Sequence, residues 1–404
     1  MQPAARGRLR PLFVRECHNH ERRPGARTTL KVHKPMLPAA PFPAISDHFD
    51  VSVTESSAAE TAELEAWLAH ASDALLYAGQ EFLHFLAASC GGVPTTLIAR
   101  RGGRIAGAFR YLRKTVPGVG TIINSLPWYG SHGACLLGTE PDPRVRRALL
   151  EAFRLRIEAA DVISATVILT PAEEPYRQEY VDVLLPRLLD PRNGQITALP
   201  PDGPSLQHDL EFCFAQKTRN LARKACKQGF EELVSDDDWA WQFLHEVHVE
   251  NMAAVGGKAK PREHFEAFRT HISPNRRRLS VAMLDGQPTA AMLLAGFNDT
   301  IEYITPVIKV EHRSRQPLSF LIMQGMLDAV RSGYRHWNWG GTWHSQHSLH
   351  HFKAGWGAAD RPYTYIVCAP AAGLATLRSD AAAVAAAFPF YYIYPFDRLY
   401  DDPA

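Results

Sequence analysis

The chain has no C-x-x-C pair, no long apolar run and no pervasive positive charge, and each absence closes off a class of protein. Its six cysteines (Cys17, Cys90, Cys135, Cys213, Cys226 and Cys368) are scattered through 404 residues. That excludes a disulfide-stapled mini-protein and reads as reduced thiols in a cytoplasmic chain. No stretch reaches the roughly 18 consecutive apolar residues that a spanning helix needs. The closest, residues 381–396, is interrupted by Pro389 and Pro395 and ends in the aromatic FPFYYIYPF. It reads as a C-terminal segment packed on the body, with contact to a membrane surface as the alternative. The N-terminal segment lacks the apolar core of a secretory signal.

Charge is present but lopsided. The formal net charge is +2, yet residues 1–36 hold nine Lys/Arg against two acidic residues, a balance of +7 that leaves −5 for the rest. A protein that coats nucleic acid is normally basic along one face; this body is mildly acidic, although local basic stripes remain open. At 46% hydrophobic and 21% charged residues, the chain is neither disordered nor collagen-like. Its length suits two domains. Residues 1–45 are expected outside the fold, as a disordered leader or as sequence upstream of a true start at Met36.

Two stretches echo each other. Residues 95–115 (TTLIARRGGRIAGAFRYLRKT) and 279–308 (LSVAMLDGQPTAAMLLAGFNDTIEYITPVI) each place a tight glycine turn between apolar runs. Gly102–Gly103 and Asp285–Gly286 are hairpin signals, because both central residues of such a turn need positive φ. Each hairpin precedes a helix and another strand: 143–160 then VISATVILT in the first half, and a helix opened by Pro317 then HWNWGG in the second. Pro317 suits a first helical turn, where its missing N–H costs nothing; Leu318, Leu321, Ile322, Gly325 and Ala329 then share a face. Two copies of one α+β unit follow, with a joint near residues 199–203. The expected divisions are 46–200, 201–370 and a tail of 371–404.

The order hairpin, strand, helix, strand is that of the GNAT acyltransferase fold. KTRNLARKACKQGF (217–230), HVENMAAVGGKAKP (248–261), WGGTWHSQHSLHHFKAGWGA (339–358) and NSLPWYGSHG (124–133) resemble the FemAB-like branch of the GNAT superfamily, over roughly residues 75–370. The resemblance implies tandem GNAT-like domains, each a mixed central sheet flanked by helices. It also implies transfer of an acyl or aminoacyl group from an activated donor to an amine. Simple GNAT enzymes hold a pyrophosphate with a glycine-bearing loop at a helix N-terminus; the corresponding RSRQPLSF (313–320) has no glycine.

Several residues are candidates for the chemistry. On a helix Arg219, Arg223 and Lys227 form one positive stripe, either a solvated face or, as the resemblance implies, a phosphate contact, for which guanidinium groups are the better fit. The resemblance carries a Phe-Lys beside the transfer site onto Phe352 and Lys353. Lys353, following a strand and a Gly-Gly turn, would hold donor charge or stabilise an oxyanion, or else lie exposed at a strand edge. His344, His347, His350 and His351 crowd together without a nearby cysteine; no metal is expected, and His344 or His347 is a base or substrate contact. Glu302, the lone carboxylate of IEYITPVI, is a surface rung or the base that deprotonates the acceptor. Asn124, Trp128, Tyr129 and His132 either line an acceptor pocket or pack as core and loop.

The sequence therefore predicts a cytoplasmic α+β N-acyltransferase with no tightly bound cofactor. Acyl-CoA, a carrier-bound acyl group or aminoacyl-tRNA is its donor, and an amine, with or without a phosphate, its acceptor. The alternative is a catalytically inactive GNAT-fold binding or scaffolding protein. A first test concerns the leader: a chain starting at Met36 should express and melt like the full chain, and a large fall in Tm would place residues 1–35 inside the fold.

Overall fold

A computed structural model describes residues 51–127, 132–343 and 345–400; the leader, Trp128, Tyr129 and His344 lie outside the described residues. The first half runs β1 (Val51–Glu55), α1 (Thr61–Leu68), α2 (Gln80–Cys90), β2 (Val93–Arg101), β3 (Arg104–Val116), β4 (Gly120–Asn124), α3 (Pro143–Ile157), β5 (Val162–Ile168), α4 (Arg177–Leu184) and β6 (Leu188–Ala198). The second runs α5 (Leu206–Cys213), α6 (Gln216–Ala225), β7 (Glu231–Val234), α7 (Asp238–Ala254), α8 (Arg262–His271), β8 (Arg277–Leu284), β9 (Gln287–Phe297), β10 (Thr300–Ile308), α9 (Pro317–Arg331), β11 (His336–Thr342), α10 (His347–Gly355) and β12 (Ala359–Cys368), before α11 (Ala371–Ser379) and α12 (Ala381–Ala387).

The repeat is real and its local causes are visible. Gly102 and Gly103 take φ of 56° and 76°, and Asp285 and Gly286 take 51° and 73°, the paired positive values that join β2 to β3 and β8 to β9 without splaying them. Helices α3 and α9 are each 15 residues long and begin with proline, and β5 and β11 are each seven residues long. Both pairs are offset by 174 positions (143 to 317 and 162 to 336). The predicted apolar face of α9 is buried.

The two units do not close as separate sheets. All strands join one 12-stranded mixed sheet in the order β1-β2-β3-β4-β5-β12-β6-β11-β10-β9-β8-β7. Strand β12, last of the second half, pairs with β5 of the first. Strand β6, last of the first half, pairs with β11 of the second. The exchanged strands then pair with each other, from Ala359↔Ile196 to Val367↔Leu188.

Packing follows that exchange. One core backs α3 and α4 with Phe109, Phe153 and Leu149; a second joins α5, α6 and α9 through Phe214, Met326 and Trp337. The third spans both halves on one apolar layer that includes Phe85, Phe268, Trp241 and the tail residues Phe388 and Tyr394. Phe85 of α2 meets Phe268 of α8 edge to face at 5.2 Å. The tail is fastened by polar contacts as well: Ser164 donates to the Ile393 carbonyl at 2.8 Å and the Tyr392 hydroxyl to Asp190 at 2.7 Å. No helix of the described residues is long and apolar enough to cross a membrane.

Shared strands make the halves interdependent. Thermal unfolding should show one transition, coincident by calorimetry and by near-UV circular dichroism. A chain ending at residue 358 should lose the first half's near-UV signal too; two resolved transitions would show that each half folds alone.

Candidate active site

The site grows from a divergence of two parallel strands. β10 and β11 pair only over Thr300↔His336, Ile301↔Trp337 and Glu302↔Asn338. Beyond that β10 bulges between Tyr303 and Thr305 and stays with β9, while β11 bulges between Asn338 and Gly341 and stays with β6. Bulges re-aim side chains and end pairing, so here the two strands part just beyond Glu302. Among the described residues the first half has no such opening. There Ser125 N–H donates to the Thr166 carbonyl at 2.8 Å, Gly133 N–H to the Ile168 carbonyl at 2.8 Å, and Ser125 Oγ accepts from Ile168 N–H at 2.8 Å. A Cβ on Gly133 would clash with the Ser125 carbonyl oxygen, so Gly133 lies against the Ser125 backbone as tightly as backbone allows.

Glu302 is 1% exposed. One carboxylate oxygen accepts from the Tyr77 hydroxyl at 2.7 Å; Oε1 has no hydrogen-bond partner. Burial pushes the carboxyl up to about 7, opposed by Tyr77 and by Asn338. The Asn338 amide is thus near enough to favour the charged form, yet its Nδ2 closes no hydrogen bond of normal geometry. A carboxylate so placed is half ionised near neutral pH and has a free lone pair, the two properties that a general base requires.

Tyr77 comes from the first half, in a 3-10 turn over Leu76–Ala78. Its ring packs on Phe82 at 5.1 Å and on His132 at 5.8 Å. His132 meets the Leu169 carbonyl through Nδ1 at 2.7 Å and Tyr363 of β12 at 4.6 Å. Burial pulls it down to about 4, so it is a neutral imidazole that donates from Nδ1 and props Tyr77. Asn124 is completely buried, with neither amide atom hydrogen-bonded. Trp128 and Tyr129, the other expected acceptor-pocket residues, and His344 lie outside the described residues.

Lys353 is not where a surface or strand-edge lysine would be. It lies in the last turn of α10, 4% exposed. Its Nζ donates to the carbonyls of Gly340 at 3.2 Å and Gly341 at 3.0 Å and to Thr342 Oγ1 at 2.8 Å. The helix turns the side chain inward under the end of β11, where Gly340 takes φ of 70°. Phe352 beside it packs edge-on to Trp339 at 6.0 Å and Trp356 at 6.4 Å. His347 is exposed at the start of the same helix.

The basic stripe is shorter than its spacing suggested. α6 ends at Ala225, so Lys227 falls beyond the helix. Arg223 pairs with the buried Glu211 of α5 at 2.6 Å, and Arg219 donates to the Phe214 carbonyl at 3.1 Å. Both guanidinium groups already hold intramolecular acceptors, and Arg223 lines an open groove between α5 and α6 together with Glu211 and Lys227. At the start of α9, Gln316 takes φ of 64° where a glycine would be at ease. Its side chain donates to the Arg313 carbonyl at 2.8 Å and accepts from Ser319 Oγ at 3.1 Å.

Sequence reasoning missed Tyr77 and Asn338. Asn338 was within the quoted HWNWGG and could have been found as the residue opposite Glu302 once strand register was set. Tyr77 has no local signal.

Burial of Lys353 makes its substitution costly for the fold. Lys353→Met leaves three oxygens without their donor and should lower unfolding free energy by about 2 kcal/mol or more, read by urea titration. The sign with pH is fixed. Burial lowers the ammonium pKa from 10.5 to about 7, so between those values the unfolded chain binds more protons and the wild type gains stability as pH rises. The stability gap between wild type and Lys353→Met should therefore widen from pH 7 to pH 10.

Residues 214–354, which contain both Glu302 and Lys353, match the acetyltransferase (GNAT) domain family. Among solved structures the chain is similar to FemX, with a TM-score of 0.64 at 14% identity over 78% of this chain and 97% of that one. It is also similar to a conserved protein of unknown function from Bacteroides thetaiotaomicron VPI-5482, with a TM-score of 0.51 at 12% identity over 79% and 100%. No curated protein matches the sequence. Identities this low show the fold alone. The splayed strand pair lies inside the matched acetyltransferase (GNAT) domain, and the chain as a whole has the fold of FemX, in keeping with the resemblance to the FemAB-like branch.

Proposed function

We propose that this GNAT-fold protein is an amide-forming N-acyltransferase in which Glu302 is the general base and the cleft between β10 and β11 takes the activated acyl group. The observation that carries the proposal is the Glu302 carboxylate, buried where β10 and β11 part, with Oε1 unpartnered. Burying an unpaired carboxylate oxygen costs stability. A binding or scaffolding protein has no use for that cost, whereas a base does.

The chemistry is transfer between two bound substrates. Glu302 takes a proton from the acceptor ammonium, and the freed amine attacks the carbonyl carbon of an ester or thioester. The C–N bond forms, the C–O or C–S bond of the donor breaks, and the leaving oxygen or sulfur ends protonated. Tyr77 holds the carboxylate from the other half of the chain, so the base has a fixed direction. Positioning and backbone N–H groups at the β10 bulge supply the remainder. Acyl-CoA, a carrier-bound acyl group and aminoacyl-tRNA are the donor classes to be compared. Arg219 and Arg223 enter only as rim contacts, since Arg223 must exchange Glu211 for any phosphate it binds. Asn124, with His132 beside Tyr77, belongs on the acceptor side; His344, Trp128 and Tyr129 keep the roles assigned from sequence.

The second half alone is equipped for this. By the 174-residue offset, Asn338 corresponds to Ser164, and Ser164 pairs with Ile122 as Asn338 pairs with Glu302. The first half thus has an isoleucine in place of the base, and its Ser164 hydroxyl is occupied by the tail.

A screen of acyl-CoAs and charged tRNAs against small amines comes first. With the active pair, Glu302→Gln should lower kcat/KM by about 10²-fold or more, the scale of a general base. In the wild type kcat/KM should fall tenfold per unit as pH drops below about 7, because the base is then protonated; Glu302→Gln should lose that limb. Wild-type turnover in Glu302→Gln would remove Glu302 from the chemistry.

A further inference from the structure

Lys353 and Glu302 are both buried, neither is paired with the other, and the strand between them carries a continuous set of contacts. Lys353 Nζ holds the Gly340 and Gly341 carbonyls and the Thr342 hydroxyl. These three residues form the bulged end of β11, where pairing with β6 skips from Asn338 to Gly341. Inside that bulge the Gly340 N–H donates to Asn338 Oδ1 at 2.9 Å. An amide whose oxygen is fixed presents its nitrogen in one direction, and Asn338 Nδ2 has no other partner. Across the strand pair stands Glu302, whose Oε1 is likewise unpartnered.

The residue types suit this purpose. An ammonium is a compact donor of three hydrogen bonds and can satisfy three converging oxygens at once, which a planar guanidinium cannot. Gly340 takes a positive φ that other residues rarely adopt, and a Cβ on Gly341 would stand 2.4 Å from the Tyr363 hydroxyl. The bulge is thus two glycines with little intrinsic preference for one shape, and the lysine supplies the constraint they lack.

We propose that Lys353 is a positioning residue for the transfer reaction: by clamping the Gly340–Thr342 bulge it orients the Asn338 amide toward Glu302, and so acts on the base without touching donor or acceptor. This rests on the reading of Glu302 as the base, and it differs from a lysine that itself binds the transferring carbonyl. Among the described residues, the groups that act on the Glu302 carboxyl are Tyr77 from the first half and Asn338 from β11. The Lys353 ammonium, held by its three oxygens, has its pKa lowered by burial.

The test reads Glu302 directly and needs no substrate. In protein labelled with 13C at glutamate carboxyls, the Glu302 resonance is the one missing from Glu302→Gln, and its titration midpoint is followed by NMR. Asn338 favours the ionised form, so Asn338→Ala should raise the midpoint by about half a unit to one unit. Lys353→Met should raise it in the same direction, and Thr342→Val, which keeps the lysine and removes one of its contacts, by a smaller amount. Lys353→Met should add nothing in the Asn338→Ala background, because both act through one amide. A wild-type midpoint in both Lys353→Met and Thr342→Val would overturn the proposal. So would a Lys353→Met shift that persists undiminished without Asn338. If the midpoints behave as expected while Glu302→Gln retains full transfer activity, the coupling stands and the assignment of the base fails, so the two ideas are separable.

Discussion

The ladder between β6 and β12 is the interaction on which the rest of this molecule depends. It runs for nine residue pairs across the centre of the sheet and is built from the last strand of each half. Without it β12 would end one sheet and β6 would begin another, each with an open edge, and exposed edges invite non-native pairing. With it, every strand of the sheet except β1 and β7 has neighbours on both sides. The consequence for the site is direct. The first half supplies Tyr77 and the second Glu302, and a 2.7 Å hydrogen bond between residues 225 positions apart requires that the halves be held in one relation.

Inside that frame two ionisable groups are buried in opposite senses. Glu302 is raised and Lys353 lowered, both to about 7 and both by loss of hydration. A direct ion pair would have pushed each the other way, holding the carboxyl low and the ammonium high. Keeping them apart leaves the carboxyl basic enough to take a proton near neutral pH. The ammonium is met instead by neutral oxygens, which satisfy its donors without neutralising a nearby carboxylate. The ion pair at Arg146 shows the contrast: Glu173 binds its guanidinium at 2.7 Å in the first-half core, and there the arrangement serves packing only.

What could be read from sequence divides along physical lines. The hairpins were legible because Gly102–Gly103 and Asp285–Gly286 are demands of local backbone geometry. The helix starts at Pro143 and Pro317 were legible for the same reason, and the echo between halves came from comparing such local signals. The exchange of β6 and β12 was not, since an apolar strand carries no mark of which neighbour it will take. Burial of Lys353 was hidden because its surroundings, SQHSLHHFK, look polar; only the fold shows that α10 turns this one side chain beneath β11. Arg223 misled in the opposite direction. Its spacing from Arg219 on a helix is as read, but its partner Glu211 lies on a different helix, and a charge stripe read alone omits such partners.

The two halves have diverged in how they treat the same backbone opportunity. A helix N-terminus offers free N–H groups and a positive end of the dipole to an anion. In the first half that offer is already taken: Asp142 caps α3, accepting from Arg144 N–H at 2.9 Å, and its carboxylate also pairs with the Arg101 and Arg144 guanidinium groups. The strands below it, β4 and β5, stay closed. In the second half the first turn of α9 has no acidic residue, the preceding 3-10 turn supplies His312, Arg313 and Arg315, and β10 and β11 splay. Cap and strand separation therefore change together from one half to the other. That paired difference is the asymmetry expected if, as proposed, the second half carries the chemistry and the first supports it through Tyr77.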